Sequence, residues 1–202
     1  MNTQWIIETK APGDEKRLAE LLSIAFNDKY SVLCGKNRDK AIGILTEEMK
    51  WRGRSGNLFE AVCDGYIVGA VEILSTDIPG VPDGVTLSIY LKHLGLSEGL
   101  RAIYLLSLLG RAIDKTEACI THLAVDENHK RRGVARSLLA KAESFAAEKD
   151  KKSLVLWVSE SNKPAIALYE SENFSFEKGF VSQQSEKHFG YRRWLKLKKD
   201  LC

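Results

Sequence analysis

The chain is predicted to fold as a mixed α/β domain: a mostly antiparallel central sheet, helices on both faces, and an insertion ahead of one central strand. Three observations lead there. In the second half a strand-like run (Ala118 to Val125), a long helix-like run (Val134 to Lys149), another strand-like run (Ser153 to Val158) and a short helix follow one another. In the first half two apolar runs flank Asp64-Gly65, whose glycine suits the positive backbone angles of a tight hairpin. With 202 residues, 44% of them hydrophobic, one good core can be buried, so residues 1–202 are read as a single domain.

Gln4 to Thr9 reads as the first strand, and Pro12-Gly13-Asp14 ends it, with Asp14 placed to cap the next helix. There Leu18, Leu21, Leu22 and Ala25 recur at i, i+3, i+4 and i+7, which makes one face apolar. Asn37 to Trp51 reads as a second helix, less sharply amphipathic, that stops at the glycine-rich run 52–57. The hairpin strands, Leu58 to Cys63 and Tyr66 to Leu74, follow. Residues 75–116 read as the insertion: Pro79, Gly80, Pro82 and Gly84 break it, and Val85 to Leu91 looks extended. Leu100 to Leu109 is too apolar all round to lie on a surface; it suits a helix in the core, a homodimer contact, or a lid over a substrate pocket. Phe174 to Ser182 and Tyr191 to Leu197 read as closing antiparallel strands.

The stretch that carries chemistry is His129-Lys130-Arg131-Arg132-Gly133-Val134-Ala135-Arg136, reached from the strand through a turn at Asp126-Glu127-Asn128. A basic turn that enters a helix directly leaves backbone N–H groups unpaired and aimed at one point, backed by the positive end of the helix dipole. That is a socket for phosphate. Small residues at Gly133 and Ala135 let a bulky anion approach closely, although the spacing matches neither the P-loop nor the dinucleotide-binding glycine pattern.

Lys130-x-x-Gly133-x-Ala135 resembles the pyrophosphate-binding motif of GNAT-type N-acetyltransferases, with Lys130 in place of Gln or Arg. A second stretch, Asn162-Lys163-Pro164-Ala165-Ile166-Ala167-Leu168-Tyr169, is similar to the family's Asn-x-x-Ala-x-x-x-Tyr pattern, and Asn173 stands where Gly is commoner. The resemblance implies a GNAT-like fold with its acetyl-CoA-binding core at 118–176. It also implies acetyl transfer from acetyl-CoA, the co-substrate, to a primary amine of a small molecule or peptide, directly within a ternary complex. In that scheme the backbone from Arg131 to Arg136 holds the pyrophosphate, assisted by the side chains of Lys130, Arg131 and Arg132. Leu123, Ala124 and Val125 bind the pantetheine amides like an added strand, Asn162 contacts the cofactor, and Tyr169 is the general acid for the departing thiolate.

An ammonium must lose a proton before it attacks, so a carboxylate or histidine is needed as base. Some branches of the family carry Glu at the position of Trp157, and others place Glu or His on the strand; here Trp157, Cys119 and Thr121 stand there instead. Three candidates remain: Glu117, on the strand parity of Cys119 and Thr121; His122, on the opposite parity if the strand is regular; and Glu72 in the hairpin. Cys119 reads as an inert buried thiol, since no activating neighbour can be named. Without a recognisable base, a non-catalytic acyl-CoA-binding sensor or assembly module stands as the alternative.

A net charge of +3 gives no general affinity for nucleic acid, and the runs Lys130–Arg132 and Lys196–Lys199 have the look of solvated faces. Cys34, Cys63, Cys119 and Cys202 form no CxxC pair, and Met1 to Gln4 opens without a basic or apolar signal segment. Hence the expectation is a reduced, cytoplasmic protein without a metal. No apolar run reaches the ~18 residues of a membrane span, so no membrane partner is expected.

Overall fold

The computed structural model describes residues 5–201 apart from Pro12 and Pro79. Gln4, Pro12, Pro79, Cys202 and the opening segment, all used above, lie outside the described residues. Seven strands form one sheet in the order β1-β2-β3-β4-β5-β7-β6: β1 (Ile6–Thr9), β2 (Leu58–Cys63), β3 (Tyr66–Leu74), β4 (Glu117–Val125), β5 (Ser153–Ser159), β6 (Ser175–Val181) and β7 (Arg193–Asp200). Among the described strands only β4 and β5 pair in parallel; every other pair is antiparallel. Eight α-helices are described: α1 (Glu15–Ala25), α2 (Asn27–Cys34), α3 (Arg38–Met49), α4 (Asp83–Leu94), α5 (Leu96–Ser107), α6 (Val134–Glu148), α7 (Lys163–Ser171) and α8 (Gln183–Phe189).

One face of the sheet packs Phe59, Val71, Ile73, Ile120 and Leu156 against Leu138, Leu139, Ala142 and Phe145 of α6, with Tyr169 of α7. The other packs Leu58, Ala70 and Ala124 under Leu18 and Leu22 of α1, Ile44 and Leu45 of α3, Tyr90 of α4 and Leu105 of α5. Because the central strands are covered on both faces, apolar residues face both ways along them instead of alternating with polar ones, and the few polar residues they carry, Glu60, Glu72 and His122 among them, are buried. The hairpin turn has positive φ at both central residues, Asp64 (51°) and Gly65 (77°), as its residue types require.

Four expectations are corrected. Val85 to Leu91 is not extended: it lies inside α4, which starts after Pro82 and buries Ile89 and Tyr90. The β-branched residues favour a strand locally, but packing against α3 and α5 overrides that preference. Leu100 to Leu109, mostly within α5, is not enclosed, since the helix buries Gly99, Ala102 and Leu105 and leaves Leu96, Leu100 and Tyr104 exposed. At Gly99 an added Cβ would stand 2.9 Å from Leu91 Cδ2, so glycine allows α4 and α5 to meet. Asp14 sits at the start of α1 without a capping bond; Glu15 accepts from the Gly13 N–H instead (3.1 Å). In that helix Ala25 is exposed, and Ala19 joins the buried leucines.

Candidate active site

A gap opens between β4 and β5. Their pairing runs from Glu117↔Ser153 to Ile120↔Leu156 and stops, while β4 continues to Val125 and β5 to Ser159. On its other edge β4 stays paired with β3 as far as Val125↔Gly69. Asp126 N donates to Val68 O (2.9 Å), so by strand alternation Ala124 turns its peptide groups to β3. Leu123 and Val125 therefore direct theirs into the gap: of the three residues assigned to pantetheine, two present unpaired backbone and Ala124 does not.

The gap leads to the basic turn. A short 3-10 helix, Glu127–His129, is followed by Arg131 at φ 58° and Gly133 at φ 96°, the left-handed residue from which α6 starts. None of the N–H groups from Arg131 to Arg136 has an acceptor among the described residues. Buried Val134 anchors the first turn in the core, and the Trp5 indole closes its far side, 3.5 Å from where a Gly133 Cβ would stand. Trp5 Nε1 donates to Ser137 Oγ (3.1 Å) on the same turn of α6. Lys130 pairs with Glu127 (2.5 Å) and Arg136 with Glu172 beyond α7 (2.8 Å), whereas exposed Arg131 and Arg132 have no carboxylate partner among the described residues. The Arg136 pair also ties α6 to the end of α7, uniting the two sequence motifs.

Asn162 caps α7, its Oδ1 accepting from Ala165 N (3.3 Å). Seven residues on, Tyr169 lies buried with its ring edge-on to Phe174 (5.8 Å between centroids), and burial pushes its phenol up to about 12. Its hydroxyl has no hydrogen-bond partner among the described residues, which leaves it free to donate.

The three candidate bases separate. Glu117 Oε1 accepts from Lys196 Nζ (2.6 Å), itself bound to Glu177 (2.8 Å), at the closed, paired end of β4. Glu72 and His122 are instead joined. The β3/β4 register shifts beside Glu72, so β4 is not regular there, and both Thr121 Oγ1 (2.7 Å) and His122 Nδ1 (2.9 Å) reach Glu72 Oε2. The parity assumed for His122 is therefore broken by a bulge.

Arg52 Nη1 contacts the same Glu72 oxygen (2.5 Å), and Arg52 Nη2 contacts Glu48 (3.1 Å). Burial would raise the Glu72 carboxyl, but Arg52, His122 and Thr121 outweigh it and hold Glu72 well below the usual range. Burial, reinforced by the Arg52 cation, lowers His122, so its imidazole is neutral at pH 7. An Nδ1–H donated to Glu72 leaves the Nε2 lone pair as the acceptor, and Nε2 has no partner among the described residues. Phe26 at the start of α2 packs edge-on against the imidazole (5.2 Å). Cys119 is buried and its thiol is pushed up to about 12, in keeping with an inert core residue.

Arg52, Glu48 and Phe26 were missed by sequence reasoning. Arg52 sat in what read as a glycine-rich loop, and nothing local indicates a guanidinium turned inward. A buried glutamate in a hairpin strand was the one available signal, since such a group needs a cation.

Residues 17–174 match the Acetyltransferase (GNAT) family. No curated protein matches the sequence. Among solved structures the fold is similar to that of an acetyltransferase (TM-score 0.73, 19% identity, covering 98% of this chain and 100% of that one). It is also similar to a Bacillus subtilis acetyltransferase solved in complex with CoA (TM-score 0.61, 14% identity, 98% and 100%). A third is the ribosomal-protein-S18-alanine N-acetyltransferase from Escherichia coli (TM-score 0.55, 14% identity, 98% and 94%). The family match over most of the chain, on a sheet that parts beside a basic helix start, makes this chain a member of the GNAT acetyltransferase family, which draws its acyl groups from acyl-CoA.

Proposed function

We propose that the protein is an N-acetyltransferase that moves the acetyl group of acetyl-CoA to a primary amine of a small molecule or peptide, directly within a ternary complex. The observation that carries this reading is the parting of β4 from β5 after Ile120, which leaves Leu123 and Val125 unpaired on a path ending at the free N–H groups of Arg131 to Arg136. A pantetheine arm supplies the amides such an edge lacks, and a pyrophosphate supplies the anion such a turn attracts. Arg131 and Arg132 add charge-assisted bonds, with Lys130 weaker because Glu127 shares it.

Acetyl-CoA brings the activated acyl group as a thioester. His122 serves as base: Glu72 fixes its tautomer, and Nε2 takes the amine proton directly or through one water. Tyr169 acts on the leaving sulfur. With a phenol near 12 against a thiol of about 8.5, it shares its proton in a hydrogen bond rather than surrendering it. That makes Tyr169 a stabiliser of developing thiolate charge, a narrower role than full proton donor. Glu117 is set aside because Lys196 holds it.

The test is calorimetric titration with acetyl-CoA and with CoA, on the wild type and on Gly133→Asp. The variant puts a carboxylate among the free N–H groups at a backbone angle of φ 96°. Micromolar wild-type binding that weakens at least about 100-fold in the variant is expected, as is CoA release with an amine panel. Absence of wild-type binding would overturn the assignment, and binding without turnover would mark a non-catalytic acyl-CoA module.

A further inference from the structure

At the C-terminal end of α2 lies a cavity of about 440 Å³, walled by α2, the start of α3, the junction of α4 and α5, and α8. None of its lining residues belongs to β4, β5, α6 or α7, so it is separate from the cleft above. Its volume falls within the range of small-molecule sites, about 300–1,000 Å³.

The lining is electrostatically one-sided. Lys40, Arg101 and Lys187 line it together with His188, and Glu98 is the only carboxylate among the lining residues. Glu98 is 3.5 Å from Arg101 and largely exposed, which makes the pair weak. Neither Lys40 nor Lys187 has a carboxylate within ion-pair distance among the described residues. Arg101 Nη1 donates to Val32 O (3.2 Å), so one edge of the guanidinium is anchored to α2 and its other donors remain free. Cys34 is also among the lining residues; burial pushes its thiol up to about 11, so no thiolate repels an anion there. Cations from three separate helices gathered around an open volume repel one another until an anion enters.

We propose that this cavity is a binding site for a small organic anion with two or more negative charges, either a polyphosphate or a polycarboxylate. Arg101 provides the planar fork, and Lys40 and Lys187 provide point charges on two other walls. The site stands independently of the acyl-transfer reading.

The experiment is calorimetric titration with inorganic pyrophosphate and, separately, with citrate, both in the presence of saturating CoA to cover the α6 turn. Wild type is compared with the double variant Lys40→Ala/Lys187→Ala; both lysines are exposed, so the fold is preserved, and a thermal melt verifies it. The expected result is one site whose affinity falls at least tenfold in the double variant while CoA binding is unchanged. Binding of one anion but not the other supports the site and identifies which chemistry it takes. No binding of either anion, or equal binding by the double variant, overturns the proposal.

Discussion

Replacing Glu72 by Gln tests both the energetics and the chemistry of the buried cluster. The carboxylate is 1% exposed and receives Arg52, Thr121 and His122 on one oxygen. Gln keeps the shape and can still accept from Thr121, but the charge facing Arg52 is lost. Breaking a buried pair costs about 3–5 kcal/mol, and the low end applies because Glu48 still holds Arg52 Nη2 at 3.1 Å. At a urea dependence of about 2 kcal/mol per molar, a loss of about 3 kcal/mol moves the unfolding midpoint down by about 1.5 M, readable by tryptophan fluorescence. Glu72 has a folded pKa below its unfolded value of 4.5, so its contribution is present above that pH and disappears as pH falls through the folded value. The gap between wild type and variant should therefore narrow below about pH 4.5. Activity should fall about 100-fold or more, since the imidazolium formed as His122 takes the amine proton loses the carboxylate charge that stabilises it. A midpoint shift equivalent to less than about 1 kcal/mol, or a kcat within twofold of wild type, would refute the reasoning.

Three further outcomes are expected. Because burial and Arg52 lower His122 below its ordinary 6.5, kcat/KM should be level through pH 7 and decline only at an acid limb with a midpoint under 6.5; His122→Gln should remove that limb along with about 100-fold of the rate. Tyr169→Phe should reduce kcat about tenfold or more with little change in KM for acetyl-CoA, and it should not lower the melting temperature, since the hydroxyl has no partner among the described residues to lose. Glu60 on β2 is fully buried with neither carboxylate oxygen paired among the described residues, and burial raises it to about 7, so the folded state holds a proton the unfolded state releases. Stability should thus decline as pH rises from 4.5 to about 7, and Glu60→Gln should flatten that decline and stabilise the protein at pH 8 by about 1–3 kcal/mol, measured by thermal melts at pH 5 and 8.

The sequence by itself determined the elements whose signals are local. The hairpin at Asp64-Gly65 needs only two residues that tolerate positive φ, and α6 needs only its apolar period, so both were legible. The basic turn with its free N–H groups ahead of α6 was legible too, because that geometry lies in consecutive backbone groups and one glycine. Helix α4 was misread because its β-branched residues favour a strand until α3 and α5 cover them; α2 and α8 escaped notice because each is short with a weak period. Tertiary structure alone joined His122 to Glu72. Thr121 and His122 point opposite ways on a regular strand, and only the shifted register beside Glu72 brings both to one carboxylate. Pairing across 50 positions, and an arginine turned inward from a loop 20 positions away, are properties of the packed sheet and leave no local trace in the chain.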